Sequence, residues 1–416
     1  MDLGGRPMSR CGPASVLVIG ACLAVAAMFG PSDVAHAGPE GAAARAARAV
    51  ASTTQAGTEP QIKRPPLQPD LHAQPRGYVA YRAGAPLSID GRLDEPAWQA
   101  APWTDTFIDI EGDAKPRPRH PTRARMLWDD TCFYIGADLV EPHLWATLTE
   151  HDSVIFHDND FEVFIDPNSD NHEYYELEIN ALGTTWDLLL PKPYRDDGKA
   201  VNGWEIAGLK SAVHLEGTLN DPRDVDRGWS IELALPWKAL GELARRPSPP
   251  RDGDTWRVNF SRVQWDLDVA AGKYQKRPKV PEFNWVWSPQ QVIDMHRPER
   301  WGFVQFSTAA PGSAKFVGDG SGLIRNYLHQ LYYLQKDYRK AHGRWARNLR
   351  ELNFVPHRID FQPSDGQLSD PELHTAGDQF QFTIVRGWNS TKPVRWHIRQ
   401  DSLVWSSNKE QVTRNK

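Results

Sequence analysis

Three cysteines in 416 residues leave little room for covalent cross-linking, and Cys132 is the only one beyond the first 22 positions. A single thiol closes no internal disulfide, so a disulfide-framed scaffold is excluded and a structural thiol is expected in the run Thr131-Cys132-Phe133-Tyr134-Ile135. Basic charge is also in short supply. With 48 Lys plus Arg against 53 Asp plus Glu, a net charge of -5 and no basic block, nucleic acid is a poor candidate for the main partner. An uncharged or weakly charged ligand fits better. After the N-terminal segment no stretch approaches the roughly 18 apolar residues that a membrane helix needs. There is no nucleophile elbow, phosphate loop or zinc-spaced motif, and no repeat at solenoid periods. What is abundant is tryptophan, with 17 residues in a chain that is 40% hydrophobic. Large aromatics fill β-sandwich cores, and a flat indole face also stacks on the apolar face of a sugar ring.

The N-terminus reads as an address. Arg6 and Arg10 precede an apolar run from Ala14 to Phe29, and Ala35-His36-Ala37 offers the small-x-small pattern cut by a signal peptidase. Residues 1–37 are therefore expected to be a signal peptide, with a mature start near Gly38 and a periplasmic or extracellular destination. Ile19-Gly20-Ala21-Cys22 also resembles a lipoprotein box, but the apolar run continues past Cys22, where a lipidated start turns polar. Residues 38–76 are Ala-rich and then Pro-rich, the composition of a tether.

From Tyr78 on, short aromatic and β-branched runs recur between turn signals, which predicts a mainly β protein built on a β-sandwich over residues 77–307. Strands are expected at 123–128, 133–139, 161–166, 174–181, 184–190, 211–215, 229–235, 256–265, 285–288 and 302–306. In Glu176-Leu177-Glu178-Ile179-Asn180 the alternation turns Leu177 and Ile179 to the core and gathers Glu176, Glu178 and Asn180 on the other face. Residues 322–416 read as a small α+β appendage. Leu323, Tyr327, Leu328, Leu331, Tyr332 and Leu334 recur at helical spacing, Gly343 ends the run, and strands follow at 379–386, 394–399 and 403–405.

Several segments carry candidate chemistry. The loop His151 to Asp160 packs His151, Asp152, His157, Asp158, Asn159 and Asp160 together, suited to a cation, a sugar or its own solvation. Asp166, Asn168, Asp170 and Glu173 offer oxygens at alternating spacing, which suits a hard ion such as calcium (Ca2+), equally a turn capping its own backbone. The glycine of an EF-hand loop is missing. Trp186, Trp204, Trp265, Trp285 and Trp287 fall near strand ends, and Arg262 and Gln264 beside Trp265 make Trp265 and Trp287 the preferred stacking platforms. Intrinsic glycoside hydrolysis needs two carboxylates across a cleft, and no pair is marked. A haem-binding redox sandwich using Met126, Met295, His157 or His296, and an interaction module displaying the C-terminal helix to a protein partner, are the other readings.

The segment Leu87-Ser88-Ile89-Asp90-Gly91-Arg92-Leu93-Asp94-Glu95-Pro96-Ala97-Trp98 resembles the opening of family 9 carbohydrate-binding modules. Matching order continues through Arg123–Asp129, Cys132–Val140, Asn159–Asp166, Gly228-Trp229-Ser230-Ile231-Glu232 and Pro298-Glu299-Arg300-Trp301-Gly302-Phe303. The resemblance implies a sandwich that binds an oligo- or polysaccharide without cleaving it, sometimes with structural calcium and often attached to xylanases. It places Glu162 on the family's hydroxyl-binding Glu. It places Phe156 and Met295 where the family holds sugar between two Trp rings, and Glu178 where the family has Arg. Phe can stack, Met can supply apolar contact and Asn180 can bond hydroxyls. The expected glycan surface is therefore Phe156, Glu162, Glu178, Asn180, Arg262, Trp265, Trp287 and Met295.

Overall fold

The computed structural model describes residues 75–354, 368–387 and 392–408, all within one compact unit. The expected signal peptide, and all of the expected tether but its last two residues, lie outside the described residues.

Fourteen strands build the first part: β1 Gly77–Arg82, β2 Ile108–Asp109, β3 Thr122–Trp128, β4 Cys132–Val140, β5 Asp160–Asp166, β6 Tyr174–Asn180, β7 Thr185–Leu190, β8 Lys210–Glu216, β9 Gly228–Pro236, β10 Thr255–Gln264, β11 Leu267–Ala270, β12 Lys273–Lys276, β13 Phe283–Val286 and β14 Gly302–Ser307. Hydrogen bonding runs in the order β7-β6-β5-β10-β14-β1-β3-β4-β9-β8. The sheet curls at β1, which pairs in parallel with β14 on one side and β3 on the other. Its two halves face each other as a β-sandwich. Phe161, Val163, Tyr175 and Leu177 from one half share a core with Phe133, Ile135, Ile231 and Leu233 from the other. The inner residues alternate with outward ones, as the pleat of a strand requires.

The outer face of the β1–β3–β4–β9 half explains the opening motif. Trp98, on a one-turn helix α1 at Pro96–Ala100, is fully buried and donates its indole N–H to Glu232 Oε1 at 2.6 Å. The Asp90 and Gly91 amides both donate to Glu232 Oε2 at 2.8 Å. One buried carboxylate on β9 thus satisfies three donors from a segment about 140 residues away. Gly91 is obligatory here, because its φ is +86° and a Cβ would lie 2.6 Å from the His214 amide nitrogen.

After a second short helix, α2 at Trp237–Leu240, the chain completes the sandwich and forms α3, Gly322–His342. Its buried stripe, Ile324, Leu328, Leu331 and Tyr332, shares a second core with Phe380, Phe382, Ile384 and Ile398 of an antiparallel sheet ordered β15-β16-β17-β18 (Glu372–Ala376, Gln379–Arg386, Val394–Arg399, Val404–Asn408). Gly343, at φ +70°, caps α3 through its N–H to the Arg339 carbonyl. The flank of α3 is anchored to the sandwich: Tyr333 donates to Glu299 Oε1 at 2.5 Å, Tyr332 to Asp196 Oδ1 at 2.5 Å, and Arg195 pairs with Glu299 at 3.0 Å. The apolar stripe of α3 thus packs on its own sheet and this flank on the sandwich.

Candidate functional site

The outer face of β5, β6 and β10 is where the sandwich concentrates chemistry. The same alternation that sends Phe161 and Val163 inward sends Asp160 and Glu162 outward from β5, and Glu176 and Glu178 outward from β6. Glu162 stands directly opposite Glu178 on β6 and opposite Ser261 on β10. Asp160, Glu162 and Glu178 each bring one carboxylate oxygen within 4.8 Å of the others, and all three are buried.

Few of these oxygens are compensated. Glu178 Oε2 accepts the Phe156 N–H at 2.8 Å, which fixes the short 3-10 turn Ile155–His157 over the sheet. Asp160 Oδ1 accepts the Val263 N–H at 3.1 Å. Asp160 Oδ2 and Glu162 Oε2 have no hydrogen-bond partner among the described residues. Desolvation dominates the electrostatics, since burying a carboxylate disfavours its charged form. Burial pushes Glu162 up to about 7, with Ser261 opposing. Burial and then the Glu162 charge hold Asp160, Glu176 and Glu178 well above the usual carboxylate range. A carboxyl kept neutral donates one hydrogen bond and accepts others, the same repertoire as a sugar hydroxyl.

An aromatic rim stands beside this floor. Phe156 is half-buried, and its carbonyl accepts the Trp265 indole N–H at 2.9 Å. Trp265 is also half-buried, and the Lys276 ammonium lies 3.6 Å from its ring centroid. Phe156, Glu162, Glu178 and Trp265 are therefore brought together.

The other expected residues are held by structural contacts, Asn180 directly opposite Asp160 on β6. Asn180 is spent on structure: its Nδ2 donates to the Leu148 carbonyl and Asp158, and its Oδ1 accepts the Leu182 and Thr184 amides. Arg262 is buried in an ion pair with Glu141 at 2.8 Å and bonds the Val140 carbonyl, Thr122 and Gln264. Trp287 is a core residue, edge-on to Tyr78 at 6.5 Å and tilted against Phe260 at 5.8 Å. Met295 packs among Phe164, Tyr174, Leu188, Leu190 and Trp301, and its carbonyl accepts the Trp301 indole N–H. Asn180, Arg262 and Trp287 are buried and Met295 is half-buried, and alternation alone did not reveal these contacts.

At the turn expected to hold calcium, the side chains bond mainly to their own loop. Asp166 accepts the Ser169 and Asn171 amides, Asn168 and Asp170 bond each other, and Asp170 also accepts the His172 amide. Glu173 is drawn away to Arg245 at 2.6 Å. These are Asx turns that satisfy themselves. The haem ligand set is also dispersed, with Met126 in the sandwich core and Met295 in the outer cluster.

Asp160 and Glu176, noted in the loop before β5 and on the outer face of β6, were not carried into the expected glycan surface, and Lys276 was not noted at all. The alternation in Asp160-Phe161-Glu162-Val163 would have paired Asp160 with Glu162, whereas Lys276 arrives from the β11–β12 hairpin with no local signal.

Residues 89–249 match the family model described as carbohydrate family 9 binding domain-like. Two curated proteins are also similar to part of the chain. The exoglucanase XynX of Acetivibrio thermocellus is 28% identical over 162 residues, 38% of this chain and 12% of that protein. The endo-1,4-beta-xylanase A of Thermoanaerobacterium saccharolyticum is 28% identical over 161 residues, 38% of this chain and 11% of that protein. The match thus spans about a tenth of each relative's length. Among solved structures, a family 9 carbohydrate-binding module from Caldicellulosiruptor kristjanssonii in complex with cellotriose is 14% identical, covering 59% of this chain and 100% of that chain with a TM-score of 0.38.

Proposed function

We propose, from the premise that residues 89–249 form a carbohydrate family 9 binding domain-like module, that the sandwich recognises a glycan and leaves its bonds intact. The observation that carries this reading is the buried carboxyl floor of Asp160, Glu162 and Glu178 lying beside the half-buried rings of Phe156 and Trp265. The rings offer apolar faces to stack on the C–H face of a sugar, and the partly neutral carboxyls offer donors and acceptors to its hydroxyls. Each hydrogen bond contributes about 0.5–1.5 kcal/mol net, so affinity at a single site is expected to be modest.

The arrangement of the acids supports binding without cleavage. A glycosidase sets two carboxyl groups on either side of the scissile bond, with room for a sugar or a water between them. Here the acids lie side by side on adjacent strands of one sheet. The charged leader with its apolar run and small-x-small site supports export of the protein, with the Ala/Pro-rich segment as a tether to the binding domain. A role in polysaccharide breakdown alongside hydrolases is supported by the names of the two relatives. A glycan-array screen of the full chain tests the reading, with Phe156→Ala and Glu162→Ala as the variants expected to lose the signal.

A further inference from the structure

A second group of ligating atoms gathers at the β7 edge of the same sheet, apart from the carboxyl floor. His151 and Asp152 come from the loop before β5, Asp187 from β7 and Glu205 from the loop that follows it. One atom from each of the four lies within 4.8 Å of all the others. His151 Nε2 is 3.4 Å from Asp152 Oδ1, 3.8 Å from Asp187 Oδ1 and 3.2 Å from Glu205 Oε2.

Two further observations point to a ligand at this place. His151 Nδ1 lies 2.9 Å from the Thr185 carbonyl oxygen. A carbonyl only accepts, so Nδ1 carries the proton and Nε2 is left facing three carboxylates. Holding one imidazole nitrogen on a backbone carbonyl is how metal-ligating histidines are commonly oriented. Asp187 supplies the other observation. The residue is 2% exposed, its Oδ2 accepts the Ile206 N–H, and its Oδ1, aimed at His151, has no hydrogen-bond partner. A buried carboxylate oxygen without a partner carries a desolvation cost that a cation would offset.

We propose that His151 Nε2 and the carboxylates of Asp152, Asp187 and Glu205 form a binding site for a divalent transition-metal cation of the zinc type. One imidazole nitrogen with carboxylate oxygens lies within the ligand repertoire of such ions. Three acids with no partner of opposite charge in the group except His151 itself favour a dication. The site is framed by backbone contacts that tie its parts together, including the Asp152 N–H to the Thr185 carbonyl at 3.1 Å. With His151 half-exposed, an ion would reach it directly from solvent. The competing arrangement is an imidazolium paired with the same carboxylates, which requires no metal.

The test uses the full chain, stripped with chelator and titrated with Zn2+ by calorimetry at pH 7.5, with thermal melts run in parallel. One equivalent is expected to bind and to raise the melting temperature. His151→Ala, at an exposed position that leaves the fold intact, is expected to lower the affinity at least 10-fold and abolish the melting shift. Asp187→Asn is expected to act in the same direction. Affinity is expected to fall at pH 5.5, where protonated imidazole cannot ligate. Absence of heat and of any melting shift with Zn2+ and Mn2+ overturns the proposal, as does His151→Ala binding as tightly as the parent. No glycan is present, so the outcome is independent of sugar recognition.

Discussion

Single carboxyl groups set much of this molecule's behaviour. Glu162 has an ordinary value of 4.5 and is pushed up to about 7 in the folded state by burial. Between those limits the folded state retains a proton that the unfolded chain has released, so the stability contributed by neutral Glu162 is complete below about pH 4.5 and is lost as pH rises towards 7. Glu162→Gln removes this penalty. The variant is expected to gain stability relative to the parent as pH rises from 5 to 8, by about 2–3 kcal/mol in all. Thermal melts across that range check this, and parallel curves would count against it. Glu232 plays a different part, accepting from Trp98, Asp90 and Gly91. Glu232→Ala strands three donors and is expected to cost about 2–4 kcal/mol in urea unfolding. A cost below 1 kcal/mol would show that water replaces the carboxylate. The sequence marked Glu232 only as the end of one segment of the family resemblance. Its three donors became visible only when β9 and the opening segment were seen together.

At the scale of elements, period-two alternation and helical spacing were strong enough to read. The run expected at 161–166 is β5, Asp160–Asp166, and the helix expected from Leu323 to Lys340 is α3, Gly322–His342. Shorter elements escaped. The β11–β12 hairpin is largely exposed and carries little apolar pattern, while β15 alternates mildly and lies on a sheet edge. That hairpin delivers Lys276 to Trp265, so part of the rim was invisible for the same reason. Orientation was also unreadable near strand ends. Trp265 and Trp287 have similar sequence surroundings, yet one reaches the rim and the other fills the core. For α3 the packing makes a firm expectation: Leu328→Ala opens a fully buried position in the second core and should cost about 2–5 kcal/mol. Urea denaturation followed by Trp fluorescence measures it, and a loss under 1 kcal/mol would mean that α3 is not held by that stripe.

For the whole molecule, the family match ends at residue 249, but the sheet it belongs to does not. Strands β10, β13 and β14 complete the half that carries the acids, and β1, which begins before the match, joins the two halves. The floor residues Asp160, Glu162 and Glu178 fall inside the matched region, as does Phe156. Trp265 and Lys276 fall outside it. The proposed glycan surface thus draws on residues inside the matched region and on residues beyond it. Calorimetric titration of the full chain with the best glycan from an array, repeated on Phe156→Ala and Glu162→Ala, tests that assembly most directly. Saturable binding that weakens at least 10-fold in each variant, with the fold intact by circular dichroism, is the expected result. Binding that is unaltered in both variants, or absent from the folded parent for every glycan tried, would contradict it.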